Sequence, residues 1–278
     1  MSIAMRMASP PARPALNVAR FRGLAEGSRL AHDVVAHQTV SSTNSVALDL
    51  GRAGADDGTL VLAEEQTAGR GRRRRHWDSP AGLGLYVSVI RRPPTPSAEY
   101  AAAVQLVAGI AVAEALAGVQ PHVAELLWPN DCYCLGQKVG GVLVEGETMG
   151  PELGVLVCGI GVNVNQERND FAEGLSGATS ARLLAGRPVD REDLLARLVT
   201  GIQRWDDVAR GEGLQRVIDR WLRLAPSAIG SIIDVHTHDG VLHGRSAGLS
   251  ARGGLQLVVD GRIREVTTGE LIRVRRRC

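Results

Sequence analysis

Apolar positions recur with changing periods from about residue 33 onward, and the period names the elements. "DVVAHQTV" (33–40) reads as a strand, followed by "SSTNSVALDLGRAG". There Ser42 or Thr43 can cap a helix with Val46, Ala47 and Leu50 on one face, and a glycine ends it. "TLVLAEE" (59–65) is a short buried strand. "GLYVSVIRR" (84–92) sets Leu85, Val87 and Val89 against Tyr86, Ser88 and Ile90 in strand alternation. Pro93, Pro94 and Pro96 break the chain, and Ser97 caps a long Ala/Val/Leu helix to about Leu116. "AELLW" (124–128) is a strand entering a Pro-Asn-Asp turn. "KVGGVLVEGE" (138–147) and "ELGVLVCGIGVNVN" (152–165) are strands joined by the turn "TMGPE". Two helices follow, from Asp190 to about Ala209 and from about Leu214 to Leu224; the first carries acids in its opening turn, where the helix dipole favours them.

Pro226 marks a boundary. Beyond it lie short alternating strands with glycine turns: "SIIDVHT", "GVLHGRSAGLS", "GLQLVVD" and "RIREVTTGELIRVR". The expected organisation is a disordered Pro/Ala-rich lead (1–30), an α+β domain with a mixed sheet (31–225) and a small β-barrel (226–278). Within the barrel His236, His238 and His243 invite a metal reading, but no fourth ligand follows, and solvent-facing strand histidines are expected.

Composition narrows the function classes. The 278 residues suit one large domain, or a large one with a small one. Aromatics are only 3%, so the core must be built from Leu, Val, Ile and Ala. Net charge is +2, without the basic surplus of a nucleic-acid binder, which makes the arginine cluster at 70–75 a local feature. No stretch approaches the apolar length of a membrane span, and the N-terminus lacks the apolar core of a signal peptide, so a cytoplasmic protein is expected. Cys132 and Cys134 form one close pair with no second pair to complete a zinc site; with Cys158 and Cys278 they read as free thiols. The chain has 31 arginines and a single lysine, Lys138. A position that keeps lysine amid so much arginine points to a need for a compact ammonium on a slim stem.

Four stretches carry candidate chemistry. In "GRGRRRRHW" (69–77), Gly69 and Gly71 let backbone N–H groups converge on an anion, while Arg70 and Arg72 to Arg75 add forked donors. That composition fits a clamp for a small anion, a nucleic-acid strip, or a solvated loop. Unpaired, such a run repels itself and is expected to be disordered. In "WPNDCYCLGQKVGG" (128–141), Asn130 and Asp131 turn the chain toward Lys138, whose strand carries Gly140 and Gly141; paired glycines in a strand mean close approach to the backbone. "GIGVNVN" (159–165) presents Asn163 at a strand end, and Ser42-Thr43-Asn44 opens a helix with groups that either cap it or bind a polar ring. No Ser/His/Asp set, Walker loop or Rossmann fingerprint is present. Anion clamping plus one ammonium fits displacement at phosphorus, which is mostly positioning and charge neutralisation.

Taken in order, "STN" (42–44), "EEQTAGRGRRRRHWDSPAGLGLYVS" (64–88), "WPND" (128–131), "KVGGVLVE" (138–145) and "GIGVNVN" (159–165) resemble biotin protein ligase, over roughly residues 35–275. The resemblance implies a class II synthetase-like catalytic domain, a mixed sheet with helices on one side, and an SH3-like C-terminal domain. It implies that biotin and ATP, with Mg2+, give biotinyl-5′-AMP, and that the acyl group passes to a lysine on a biotin carboxyl carrier domain of an acyl-CoA carboxylase. By position, Ser42, Thr43, Asn44 and Gln66 match residues on the ureido ring and valerate side of biotin. Gly69, Arg70, Gly71 and Arg72 match the loop that folds over biotin and the adenylate. Trp77 matches the adenine-pocket tryptophan, with Asn130 and Asn163 on the nucleotide side. Lys138 matches the lysine between the biotin carboxylate and the α-phosphate, with Gly141 lining the biotin site. Arg72 and Asp131 join Lys138 as catalytic candidates, Asp131 as a carboxylate that assists the incoming lysine or metal.

Three positions depart from the family pattern: Arg74 stands where glycine is usual, Leu127 where a basic residue often precedes the tryptophan, and His76 where lysine is common. The bifunctional members carry an N-terminal DNA-binding domain of about 60 residues; with a shorter lead here, a ligase without repressor function, DNA or membrane partner is expected, as monomer or homodimer. Lipoate–protein ligase, which shares the fold and a catalytic lysine, is the alternative.

Overall fold

The computed structural model describes residues 14–92, 98–120, 122–149, 152–172, 175 and 177–275. Among them, seven strands form one sheet: β1 (Val34–Val40), β2 (Leu60–Gln66), β3 (Gly84–Arg91), β4 (Ala124–Leu127), β5 (Asp131–Cys134), β6 (Gln137–Met149) and β7 (Glu152–Asn163). They lie in the order β1-β2-β3-β7-β6-β5-β4. β1 and β2 run parallel and the other neighbours antiparallel, so the sheet is mixed. The helices are α1 (Val18–Leu24), α2 (Thr43–Arg52), α3 (Ala98–Ala117), α4 (Ala181–Ala185), α5 (Arg191–Gly211) and α6 (Leu214–Leu224). The proline break at 93–96, the Ser97 cap and the Gly150-Pro151 link fall outside the described residues.

Both faces of β2 and β3 are apolar, and both are covered. Leu60, Leu62, Val87 and Val89 join the main core with α3, α5 and α6, while Val61 and Ile90 turn the other way and pack with Val155, Val157 and Ala47 of α2. The helices α3, α5 and α6 thus share one side, as expected, whereas α2 lies on the other. That placement sets the start of α2 against the strand ends where the site forms. α3 is apolar all round, which is the pattern of an enclosed helix. Its residues Glu99–Ala117 are long and apolar enough to cross a membrane by composition, contrary to the sequence expectation, yet 61% of that window is buried inside the fold against α5, α6 and the sheet.

The lead expected to be disordered through residue 30 is structured from residue 14. Asn17 caps α1 through its side chain, Phe21 is fully buried, and Arg20 forms ion pairs with Asp190 and Glu192 at the start of α5. One aromatic anchor and one charge cluster offset the ordering cost, and neither shows in the Pro/Ala composition. The buried pair Arg191–Glu64 (2.8 Å) ties the start of α5 to β2, and Glu64 also accepts the Leu16 N–H.

The second sheet is antiparallel, in the order β11-β10-β9-β8-β12, from β8 (Ile229–Thr237), β9 (Gly240–Leu249), β10 (Leu255–Val259), β11 (Arg262–Val266) and β12 (Glu270–Arg275). The last segment, read as one strand, is two, parted at Thr267-Thr268-Gly269. Ile233, Val235, Leu255 and Leu257 face the main core. His236, His238 and His243 are exposed, as the sequence suggested, with Asp234 accepting from the His243 ring at 2.5 Å.

Candidate active site

A cavity of about 280 Å³ opens over β6 and β7. Its walls are Ser42, Thr43 and Asn44 at the start of α2, Gln66 at the end of β2, Arg70, Gly71, Arg72 and Arg75 to Asp78 of the arginine loop, and Asn130 and Asp131 of the turn. Lys138, Gly141, Gly159, Gly161 and Asn163 complete the floor, and Gln166, Phe171, Leu175 and Ala178 close the far end. Every residue matched by position to the family's site lines this space except Gly69, while Arg73, Arg74 and Gly140, also singled out from the sequence, lie off it. Gly69 stands behind the loop: its carbonyl accepts the Trp77 N–H at 2.9 Å, and a Cβ there would come within 2.8 Å of the Ser79 Oγ.

At one end the polar groups of α2 face inward rather than capping the helix. Ser42 occupies the N-cap position but its side chain makes no capping bond. Gln66 Oε1 accepts from the Thr43 N–H (2.9 Å) and hydroxyl (3.1 Å). Ser88, buried on β3, donates to Asn44 Oδ1 at 2.6 Å. Sequence reasoning passed over Ser88, whose signal was a small hydroxyl residue in a largely apolar strand. Gly159 leaves room for the Asn44 amide, which a Cβ would overlap.

At the centre, Lys138 Nζ lies 2.6 Å from Asp131 Oδ1 and 5.4 Å from the centre of the Trp77 ring. Its backbone is fixed on both sides, N–H to the Gly177 carbonyl and carbonyl to the Thr179 N–H, both at 2.8 Å. The close approach expected at Gly140-Gly141 is tightest instead on the neighbouring strand: a Cβ at Gly161 would meet the Trp77 indole at 2.6 Å, whereas at Gly141 the nearest atom, Asp131 Oδ1, is 3.5 Å away. The two asparagines expected on the nucleotide side each give one amide bond to the scaffold. Asn130 Nδ2 donates to the Val142 carbonyl (2.9 Å), and Asn163 Nδ2 to the Thr179 carbonyl (3.0 Å). Both line the cavity all the same.

The loop expected to be disordered without an anion has a defined course. Arg70 donates to Ser45 Oγ (2.7 Å) and Glu145 (2.9 Å). Arg72 donates to the Gly269 carbonyl (2.7 Å), Arg73 to the His236 carbonyl (3.1 Å), and Arg75 pairs with Glu270 (2.6 Å). Burial lowers the Arg72 pKa from the usual guanidinium range, with Asp131 opposing. The neutralising partners sit on β6 and β12, far off in sequence, so inspection of the loop alone missed them. Arg73 (φ 54°) and Arg74 (φ 60°) are left-handed, a conformation that costs a side-chain-bearing residue about 1–2 kcal/mol. Glycine at position 74, the family habit, avoids that cost. Cys132, Cys134 and Cys158 are free and buried; burial pushes the Cys158 thiol up to about 12, which leaves it unreactive.

Comparison with known proteins agrees with this geometry. The model of the biotin/lipoate A/B protein ligase family matches residues 35–163. The chain is 33% identical over 244 residues to the bifunctional ligase/repressor BirA of Bacillus subtilis, covering 86% of this chain and 73% of that one. It is 34% identical over 220 residues to a biotin–[acetyl-CoA-carboxylase] ligase of Paracoccus denitrificans, covering 78% and 90%. The biotin protein ligase of Aquifex aeolicus, solved in complex with biotin and ATP, superposes with a TM-score of 0.74 at 29% identity, over 88% of this chain and 100% of that one. With its ammonium, arginine loop and inward-facing Ser-Thr-Asn start on one cavity, the chain belongs to the biotin/lipoate A/B protein ligase family, on the side of the biotin protein ligases.

Proposed function

We propose that this ligase activates biotin with ATP and transfers it to a lysine on a biotin carboxyl carrier domain of an acyl-CoA carboxylase. The observation that carries the reading is the placement of Lys138: the chain's one ammonium on a side chain, beside Asp131, between a polar α2 end and an arginine loop. A carboxylate and a triphosphate repel one another. Lys138, Arg70 and Arg72 offset that repulsion, each charged hydrogen bond contributing about 1.5–3 kcal/mol. The biotin carboxylate oxygen attacks the α-phosphorus, the bond to pyrophosphate breaks, and biotinyl-5′-AMP forms. The acceptor amine then attacks the acyl carbon, AMP leaves with the bonding pair, and Asp131 takes the amine proton. Thr43, Asn44 and Gln66 hold the ring end of biotin, Trp77 gives the nucleotide an apolar face, and the loop keeps water from the reactive anhydride.

A Mg2+ ion fits this donor set. The described residues offer no cluster of three metal-binding side chains, and Mg2+ on a nucleotide takes one or two carboxylates plus phosphates, a role open to Asp131. Bound there, it would neutralise phosphate charge.

Isothermal calorimetry of the chain with biotin, lipoate and a DNA duplex tests the reading. Biotin binds and the other two do not. Absence of biotin binding, or preference for lipoate, contradicts it.

A further inference from the structure

Glu145 does not line the cavity, yet two residues that do are fastened to one of its oxygens. Asn44 Nδ2, from α2, donates to Glu145 Oε2 at 2.7 Å, and Arg70 Nη2, from the loop, donates to the same oxygen at 2.9 Å. The second arm of Arg70 reaches Ser45 Oγ at 2.7 Å. Nothing in the role of a cavity wall requires this carboxylate. We propose that Glu145 is the positioning residue of the site, setting which way the Asn44 amide faces and where the Arg70 guanidinium stands; the proposal rests on the biotin-activating function given above.

The chemistry of the two bonds supports this. An ionised carboxylate only accepts hydrogen bonds, so it forces the NH2 of Asn44 toward β6 and leaves Oδ1 toward Ser88, which donates to it at 2.6 Å. With Ser88 on one side and Glu145 on the other, the amide has one satisfied orientation. A neutral amide at position 145 donates as well as accepts, and the orientation of Asn44 is then left to the longer bond from its Nδ2 to the Leu143 carbonyl (3.3 Å). The same change removes the charge that holds Arg70, which stands on a loop with four other arginines. As a staple the pair matters little: the Arg70 and Glu145 side chains are 34% and 31% exposed, and such ion pairs add little to stability. The value of Glu145 lies in orientation, joining the amide at the ring end to the guanidinium at the acid end.

The test uses Glu145→Gln, which keeps shape and drops the charge, with calorimetry for biotin and biotin-dependent pyrophosphate release for ATP. The biotin Kd and the ATP KM each rise about tenfold, kcat changes less, and the melting temperature stays at the wild-type value. In a cycle with Arg70→Ala, the double variant has an ATP KM no higher than Arg70→Ala alone, because Glu145 acts on the nucleotide through Arg70. Unchanged Kd and KM overturn the proposal, as do losses that multiply in the double variant. A lowered melting temperature with unchanged constants marks a plain structural staple and also overturns it. If the wild-type chain binds no biotin, the proposed function fails first; wild-type binding with an unaffected Glu145→Gln variant sinks the positioning role alone.

Discussion

Lys138→Ala cuts biotin-dependent pyrophosphate release by about 10²–10³-fold, the range for removing one preorganised donor from a charge-building step, while the fold survives. Lys138 is 29% exposed by side chain and anchors to the scaffold through its backbone, so truncation removes the ammonium without opening the core. Lys138→Arg fares little better. The gap between Asp131 and Trp77 holds an ammonium 2.6 Å from the carboxylate; a planar fork is longer, spreads its charge over three nitrogens and cannot stand in that place. The measurement is pyrophosphate release with circular dichroism on the same samples. Near-normal release from either variant contradicts the assignment of Lys138.

Arg72→Gly frees the intermediate without stopping its formation. The wild-type side chain leaves the cavity wall to reach the Gly269 carbonyl at 2.7 Å, linking the loop to the strand that follows. Glycine loses that bond and one positive charge above the adenylate, while Arg70, still tied to Ser45 and Glu145, keeps its place. Biotin-dependent pyrophosphate release slows but continues, and the share of the intermediate that labels a bystander protein in solution rises about tenfold, the scale of one charged hydrogen bond. No rise over wild type contradicts the role of the loop as a cover.

Much of this was legible from the chain because local chemistry and tertiary placement agree. The strand and helix periods of 33–165 match β1 to β4, β6 and β7, whereas β5 was read as part of the turn toward Lys138; the floor glycines, Lys138 and the arginine loop do meet at one cavity. The failures share a cause. Sequence shows a residue's type and near neighbours, not the partner that folding brings to it. The arginine run looked uncompensated because Glu145 and Glu270 lie on β6 and β12. The lead looked disordered because Phe21 finds its pocket only once α5 is in place. Arg74 is the reverse case: its unusual identity showed in the sequence, and the left-handed backbone now gives the reason glycine suits that position.

The central claim is tested most directly by mixing the chain with biotin, MgATP and the unmodified biotin carboxyl carrier domain of an acyl-CoA carboxylase, and weighing that domain by mass spectrometry. The account predicts one added biotinyl group on one lysine, dependent on ATP, lost with Lys138→Ala, and not replaced by a lipoyl group when lipoate is supplied. A carrier domain that stays unmodified while the chain binds biotin, or one that takes lipoate instead, contradicts it.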